Sequence, residues 1–580
     1  MGIISTIEAS CRDCYKCVRS CPVKAIRVTG GHAEVVESHC IADGHCVLVC
    51  PQQAKKVQDG KGLVRDFLLA KQKLAVSLAP SFVALDEFSD YGRLVSALHK
   101  LGFAYVTETA EAAELVAGEH QKLVEEQQGR AVIASCCPVV VNLIERYYPQ
   151  LIQYLAPVVS PMIAHGRLLK SVYGADLKVV FIGPCIGKKD EYSRAELQGS
   201  IDAVLTFQEL KAMLAEEGID PARETAGKFD RSGGTARIFP TPGGLAKTAR
   251  LNTDLLAEEV ITIDGLEAVI DFLARFDEVK AGLRLVELLA CRGGCLMGPG
   301  LESGLSLYRR RQRLLAYTRS RRESADGTDS GAQTPADKDY PPVPSLFTTY
   351  AKRKLKATTH SEEAIRRVLS KTGKSKPEDE LNCGACGYNS CREKAIAVLE
   401  GMAELDMCIP YMRAKAESRA NLICSMTPNA ILVVDSSLQI LEVNPAAEQK
   451  FLCRQDQVVG KNLDLLIDPT SFKEALRTKE LVCGEVAYPA YGIVTWQAIF
   501  YAEADDVLIG IFVDITKEHE QREKLALMKG ETLTKAQEVI DKQMRVAQEI
   551  AGLLGETTAE TKVLLSKLIK LIKNGDGSIQ

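Results

Sequence analysis

The sequence predicts a multidomain α/β protein, and three observations lead there. The chain has 580 residues, several times what one hydrophobic core serves. Its 19 cysteines gather in tight groups with long cysteine-poor stretches between them. Across residues 70–320, apolar strand-like runs ("KLAVSLAP", "LKVVFIGPC", "LRLVELLAC") alternate with helical patterns, as in a sheet covered by helices.

The bulk properties narrow the function. A formal net charge of −4 argues against a nucleic-acid-binding surface. The longest apolar stretch, "AVIASCCPVVVNLI", is too short to span a membrane. The start, "MGIISTIEASCRDC", lacks the basic end and apolar run of an export signal. The expectation is therefore a cytoplasmic chain that binds neither membrane nor nucleic acid. There, clustered cysteines point to soft metals held by thiolates rather than to disulfides.

Residues 1–60 form the first element. "CRDCYKCVRSCP" sets Cys11, Cys14, Cys17 and Cys21 in the C-x2-C-x2-C-x3-C-P spacing of bacterial ferredoxins. Three closely spaced thiolates wrap one iron–sulfur cube, and the fourth, held off by Pro22, reaches a second. "HCIADGHCVLVCP" nearly repeats the pattern, but Asp43 stands where a cysteine is expected. On the crossed arrangement, one 4Fe–4S cluster takes Cys11, Cys14, Cys17 and Cys50. The other takes Cys21, Cys40, Cys46 and position 43. Aspartate is a harder, oxygen ligand. Carboxylate ligation by Asp43 is expected; a three-iron cluster with Asp43 facing solvent is the alternative.

Residues 70–320 carry five cysteines in three pieces: "ASCCPVV", "GPCIGKKDEY" and "ELLACRGGCLMGPG". Each piece follows a strand-like run, and ligands at strand ends can converge at one sheet edge. Four thiolates and a spare suggest a cluster beside an extra thiol.

Residues 321–375 read as a linker, Pro-, Gly-, Ser- and charge-rich over "RRESADGTDSGAQTPADKDYPPVPS". In 376–413, "CGACGYNSC" through "MCIP" gives Cys383, Cys386, Cys391 and Cys408. This resembles a small 4Fe–4S domain of corrinoid and electron-transfer proteins; zinc is the alternative. Cys424, Cys453 and Cys483 have no ligand spacing. Residues 420–516, with "NAILVVDSSLQILEVNPAAEQKF" and "DDVLIGIFVDIT", resemble a PAS domain, an α+β fold. No histidine lies between Asn421 and Thr516, so a His-ligated haem is not expected. Residues 517–575 read as a signalling or dimerisation helix. Its stripe of Leu525, Met528, Ala536, Val539, Val546, Ile550 and Leu553 suits a coiled coil or a helix packed on its own domain.

The three central pieces resemble the active-site signatures of FeFe (iron-only) hydrogenases, TSCCPxW, MPCxxKxxE and ExMxCxxGCxxG. "LAPSF", "DAVLTFQEL" and "SGGTARIFPTPGG" agree with the same family. The resemblance covers roughly residues 1–320 and implies an H-cluster. Cys137, Cys185, Cys291 and Cys295 would ligate its 4Fe–4S cube. Cys295 would also bridge to a diiron subsite with CO, CN⁻ and azadithiolate ligands. Lys188 would hydrogen-bond a cyanide, with Glu191 orienting it; the alternative is a plain surface pair. Ser160, Pro80 and Ser81 would border the pocket. Cys136 would be the proton-relaying thiol, with a pKa near neutrality.

The departures matter too. Gly183 and Leu289 replace the family's two methionines, and Ala134 and Val140 stand at the first signature's threonine and aromatic positions. Gly183 should open space beside the cluster. The relay serine falls at Ala156, which cannot pass a proton, and Glu119 matches just one of the relay's two glutamates. The resemblance implies slow turnover of H2 and protons by a PAS-containing sensor. Such a chain would be a homodimer that exchanges electrons with ferredoxin or another redox partner, and a separate kinase or phosphatase would read it. A catabolic hydrogenase, or an electron relay lacking the diiron subsite, are the alternatives.

Overall fold

A computed structural model describes residues 2–88, 90–127, 129–254, 259–326, 345–355, 359–554, 563–564 and 566–567. The chain divides into two compact units, Met1–Met412 and Arg413–Gln580.

The first unit starts with a two-fold repeated domain. Strands Ile4–Thr6 and Lys55–Val57 pair antiparallel, as do Ile26–Thr29 and His32–Val35. Short helices Lys16–Ser20 and His45–Val49 lead out of the two cysteine loops. Asp13, Tyr15, Ala42 and Gly44 hold positive φ in those loops, the tight curvature needed to wrap a cluster.

The central domain contains two parallel sheets. One has the strand order Tyr105–Glu108, Leu74–Leu78, Lys178–Gly183, Ala203–Thr206; the other runs Val260–Asp264, Leu285–Leu289, Val132–Ile133. All five residues of Leu74–Leu78 and of Leu285–Leu289 are buried, as expected of parallel strands covered on both faces. The strands ending at Ile133, Gly183 and Leu289 run directly into the three cysteine pieces.

Part of the stretch read as a linker is an ordered strap. Phe347 bridges Val158, Val159 N donates to Leu346 O at 2.9 Å, and the Tyr350 hydroxyl donates to Val158 O at 2.8 Å. Residues 327–344 of that stretch lie outside the described residues. Beyond it, helices Glu362–Lys371 and Cys391–Leu399 pack through Ile365, Val368, Leu369 and Ala395.

In the second unit, five antiparallel strands follow the order Ile440–Val443, Ala430–Asp435, Val507–Asp514, Ile493–Ala502, Val482–Tyr488. Strand Ala430–Asp435 alternates between buried and half-buried residues, one face being turned to the core. The helix Thr516–Leu554 follows. Its Leu525, Met528, Val539, Val546 and Ile550 are exposed, so they do not pack on their own domain. The rest of the expected helix, beyond Leu554, lies outside the described residues except at 563–564 and 566–567.

Candidate functional site

All 19 cysteines are free thiols, so every expected ligand is available. In the N-terminal domain two neighbourhoods stand out. Cys17 lies within electrostatic reach of Cys11 and Cys14. Cys21, Cys40 and Cys46 gather around Asp43. Burial pushes the Cys21 thiol up to about 12 and Cys40 to about 11, and the Asp43 charge pushes the same way. Backbone N–H groups of Ala25, Ala42 and Ala54 donate to the sulfurs of Cys21, Cys40 and Cys50, each at 3.3 Å. Such bonds favour thiolate over thiol.

Asp43 does not face solvent. Its Oδ2 is buried without a hydrogen-bond partner, and the side chain also borders the central cavity. Burial raises its pKa, with His45 and the backbone N–H groups beside it pulling downward. An orphaned carboxylate oxygen amid three thiols fits an iron ligand.

The strand ends of the two central sheets border a cavity of about 120 Å³ lined by Cys136, Cys137, Cys185, Cys291 and Cys295, with Pro80, Ser81, Lys188 and Glu287. Burial pushes Cys185 and Cys295 up to about 12 and holds Cys291 well above its ordinary value. Iron would have to displace those protons, as soft metals do. Ser81 Oγ is buried in the wall without a partner. The donor set and the unpaired hydroxyl fit the H-cluster.

Lys188 and Glu191 are not a surface pair. Their side chains are 11% and 9% exposed, and Lys188 Nζ donates to Glu191 Oε2 at 2.7 Å and to Cys136 O at 3.4 Å. Burial works against the ammonium, but Glu191 and the Cys185 and Cys136 thiols hold its pKa above the ordinary lysine value. Lys188 therefore stays charged inside the cavity wall. Ser160 is fully buried at the N-terminus of helix Pro161–Tyr173, its Oγ without a partner. It is Pro161 that reaches the cavity.

Two expectations need correction. Cys136 does not titrate near neutrality: burial holds its pKa well above the ordinary thiol range, although Lys188 pulls it down. Gly183 does not open space. A Cβ there would lie 2.6 Å from the Phe181 ring, and Phe181 lines the cavity. Alternate residues of a strand share a face, so Phe181 fills the volume beside the glycine.

Sequence reasoning missed Glu287. It is buried in the cavity wall, and burial pushes its carboxyl up to about 7 against the N–H groups of Leu245 and Ala246, which approach at 3.4 and 3.2 Å. It is within electrostatic reach of Cys136. Its letter opens the third cysteine piece, but no spacing announces a burial-shifted acid. The relay positions offer no such group: Ala156 is buried, and Glu119 pairs with Lys122 at 2.7 Å.

The fourth set, Cys383, Cys386, Cys391 and Cys408, lines a second, small cavity of about 20 Å³ together with Lys374 and Lys394. No helix among the described residues is long and apolar enough to cross a membrane.

Comparison with known proteins follows these divisions. Residues 72–299 match the family model described as iron only hydrogenase large subunit, C-terminal domain. Residues 3–51 match a 4Fe-4S dicluster domain, 379–410 an Fe-S cluster model, and 418–485 the PAS fold. The periplasmic Fe hydrogenase large subunit of Nitratidesulfovibrio vulgaris is 31% identical over 364 residues, 50% of this chain and 85% of that protein. The cytosolic Fe-S cluster assembly factor NAR1 of Vanderwaltozyma polyspora is 28% identical over 250 residues, 39% of this chain and 47% of that protein. A solved variant of the FeFe-hydrogenase HydA1 from Chlamydomonas reinhardtii is 20% identical, covers 50% of this chain and 100% of its own, and aligns with a TM-score of 0.39.

Proposed function

Because this chain belongs to the iron-only hydrogenase family, we propose that it binds H2 and turns it over slowly at an H-cluster, and that its PAS domain and C-terminal helix report the outcome. The observation that carries the reading is one cavity lined by four candidate ligands, Cys137, Cys185, Cys291 and Cys295, beside Cys136 and a charged Lys188. When bound, the H-cluster would supply the iron chemistry that splits or forms hydrogen.

The chain's own residues then have separable tasks. Lys188 Nζ, fixed by Glu191, presents ammonium donors suited to an anionic ligand such as cyanide. Ser81 Oγ offers a further buried donor. Cys136 Sγ holds a proton, since burial keeps its pKa high. Glu287, titrating near 7, can accept or return that proton at neutral pH. Phe181, Leu289 and Pro161 give the cavity an apolar wall. With alanine at 156, the family's serine relay is broken, and the remaining path through Glu287 supports slow turnover.

Asp43 serves as a ligand to the second N-terminal cluster in this reading, and electrons pass through the accessory clusters to ferredoxin or another redox partner. The exposed stripe on helix Thr516–Leu554 supports a homodimer that a separate kinase or phosphatase could read. A second reading rests on the similarity to the assembly factor: an iron–sulfur relay without the diiron subsite. Infrared spectroscopy of the chain matured with the diiron cofactor, under argon and then H2, separates them. CO and CN⁻ bands that shift with H2, beside slow turnover, uphold the sensor. Fast turnover makes it a catabolic enzyme, and absence of the bands makes it a relay.

A further inference from the structure

The small domain at 376–413 lies against the N-terminal domain, loop to loop. Gly387, at φ +95°, follows Cys386, and a Cβ there would come within 3.0 Å of Arg19 N, between Cys17 and Cys21. The Arg19 guanidinium spans both loops, donating to Ala385 O at 3.1 Å and to Cys14 O at 2.9 Å. Val28 N donates to Met402 O at 3.0 Å, and Gly30 N to Glu404 Oε1 at 2.6 Å. Cys17, Cys21, Tyr388, Met402 and Met407 share one apolar core. The charges of Cys21 and Cys386 both reach Lys24 and Tyr388, so these two cysteines lie on neighbouring sides of the contact.

The two cysteine sets meet opposite kinds of side chain. The Asp43 carboxyl stands among Cys21, Cys40 and Cys46. In the small domain the buried Lys374 Nζ donates to Cys408 Sγ at 3.3 Å. Lys394, also buried, donates to Leu405 O at 2.9 Å and reaches Cys386 and Cys408 with its charge. Lys55, near Cys17 and Cys46, spends its donors on Thr6 Oγ1 and Ala33 O instead. Reducing a cluster adds negative charge. An ammonium bonded to a ligand sulfur stabilises that charge, and an adjacent carboxylate opposes it.

We propose that the cluster held by Cys383, Cys386, Cys391 and Cys408 is the electron terminus of this unit, poised by Lys374 and Lys394 to reduce before the Asp43-flanked cluster. One electron leaves the cluster at Cys21, Cys40 and Cys46, and one enters the cluster at Cys383–Cys408; no bond breaks and no proton moves. The proposed function is needed here only to name hydrogen as the source of that electron. Cys383 is exposed, which gives an external redox partner access to the terminus. In the chain, Cys408 directly precedes the helix Ile409–Met426 that leads into the second unit.

The test uses the full chain with its 4Fe–4S clusters rebuilt and no diiron group, so that the hydrogen reading does not enter. The clusters are titrated with dithionite and mediators and followed by electron paramagnetic resonance. Lys374→Met is expected to shift one midpoint downward and leave the others in place, and the shifted cluster is the first to reduce in the unaltered chain. Lys374→Arg should keep that midpoint. In the fully reduced chain, the signals of this cluster and an N-terminal cluster should broaden each other, and Cys386→Ser should remove the broadening. An unmoved midpoint, a shift in the last cluster to reduce, or zinc in place of iron at this site overturns the proposal. If Lys374→Met cannot hold iron, Lys394→Met is read against the same outcomes.

Discussion

The central cavity of the hydrogenase domain and the core of the PAS domain are built from similar residues and finished differently. In the PAS core, Phe451 and Phe472 approach Phe512 with ring centroids 5.3 and 6.4 Å away. Gly510 leaves no spare room, since a Cβ there would lie 2.5 Å from the Phe472 ring. The buried Tyr488 hydroxyl donates to Gln497, which in turn donates to Ser471. Of the buried side-chain polar atoms in that domain, only Thr495 Oγ1 lacks a partner among the described residues. The hydrogenase cavity keeps about 120 Å³, with Ser81 Oγ unpaired at its wall. Native interiors pack densely and pair their polar atoms. A gap bordered by an orphaned hydroxyl and thiols is therefore a core that a bound group completes, whereas the PAS core is complete as folded.

The largest effect should come from opening the full core. Phe472→Ala is expected to cost about 3–5 kcal/mol, confined to the second unit. The chain's one tryptophan, Trp496, lies in strand Ile493–Ala502 of that unit, so its fluorescence reports PAS unfolding while the visible absorption of the clusters reports the first unit. If the cluster transition moves with the fluorescence, the two regions are not energetically separate and the comparison fails. A smaller effect should follow from filling the cavity wall. Gly183→Met, which restores the family's residue, drives a side chain into Phe181 and should cost about 1–3 kcal/mol. Pairing it with Phe181→Ala should recover most of that loss. Equal destabilisation in the single and double variants, by thermal unfolding of the cluster-loaded chain, would show that Phe181 is not the methionine's replacement.

Much of this was legible in the sequence, because cluster ligands must be cysteines at short, fixed spacings and strand ends must deliver them. The four cysteine sets, the PAS strands and the long helix could be read directly. What escaped depends on side chains meeting across the fold. Phe181 and Gly183 share a strand face, so their exchange of volume was within reach of a period-two argument, but nothing in the letters says which face meets the cavity. Nothing in the spacing of Lys374 and Lys394 announces that the fold buries them, Lys374 against Cys408. Residues 345–355 lie in a stretch of linker composition, yet three of them bond the Pro157–Val159 segment. Cys136 was read as a near-neutral thiol because its role was inferred without its burial.

Glu287 provides the most delicate test of how the unfinished core works. Its carboxyl is raised from 4.5 to about 7 by burial. The folded chain thus holds this proton more tightly than the unfolded chain does. Its contribution to stability is present below the ordinary glutamate value and is lost as pH rises toward about 7. In the proposed turnover the same ionisation would separate the two directions. Below about pH 7 the protonated acid would be a donor, favouring hydrogen evolution; above it the carboxylate would be an acceptor, favouring oxidation. A single group titrating there changes the donor fraction about tenfold between pH 6 and pH 8, roughly 1.4 kcal/mol in rate. Glu287→Gln keeps the shape and removes the ionisation. It should flatten both pH profiles over that interval while leaving the CO and CN⁻ infrared bands in place. Profiles that keep their slope in the variant would mean that protons reach Cys136 by another path, and that Glu287 merely holds the N–H groups of Leu245 and Ala246 in the cavity wall.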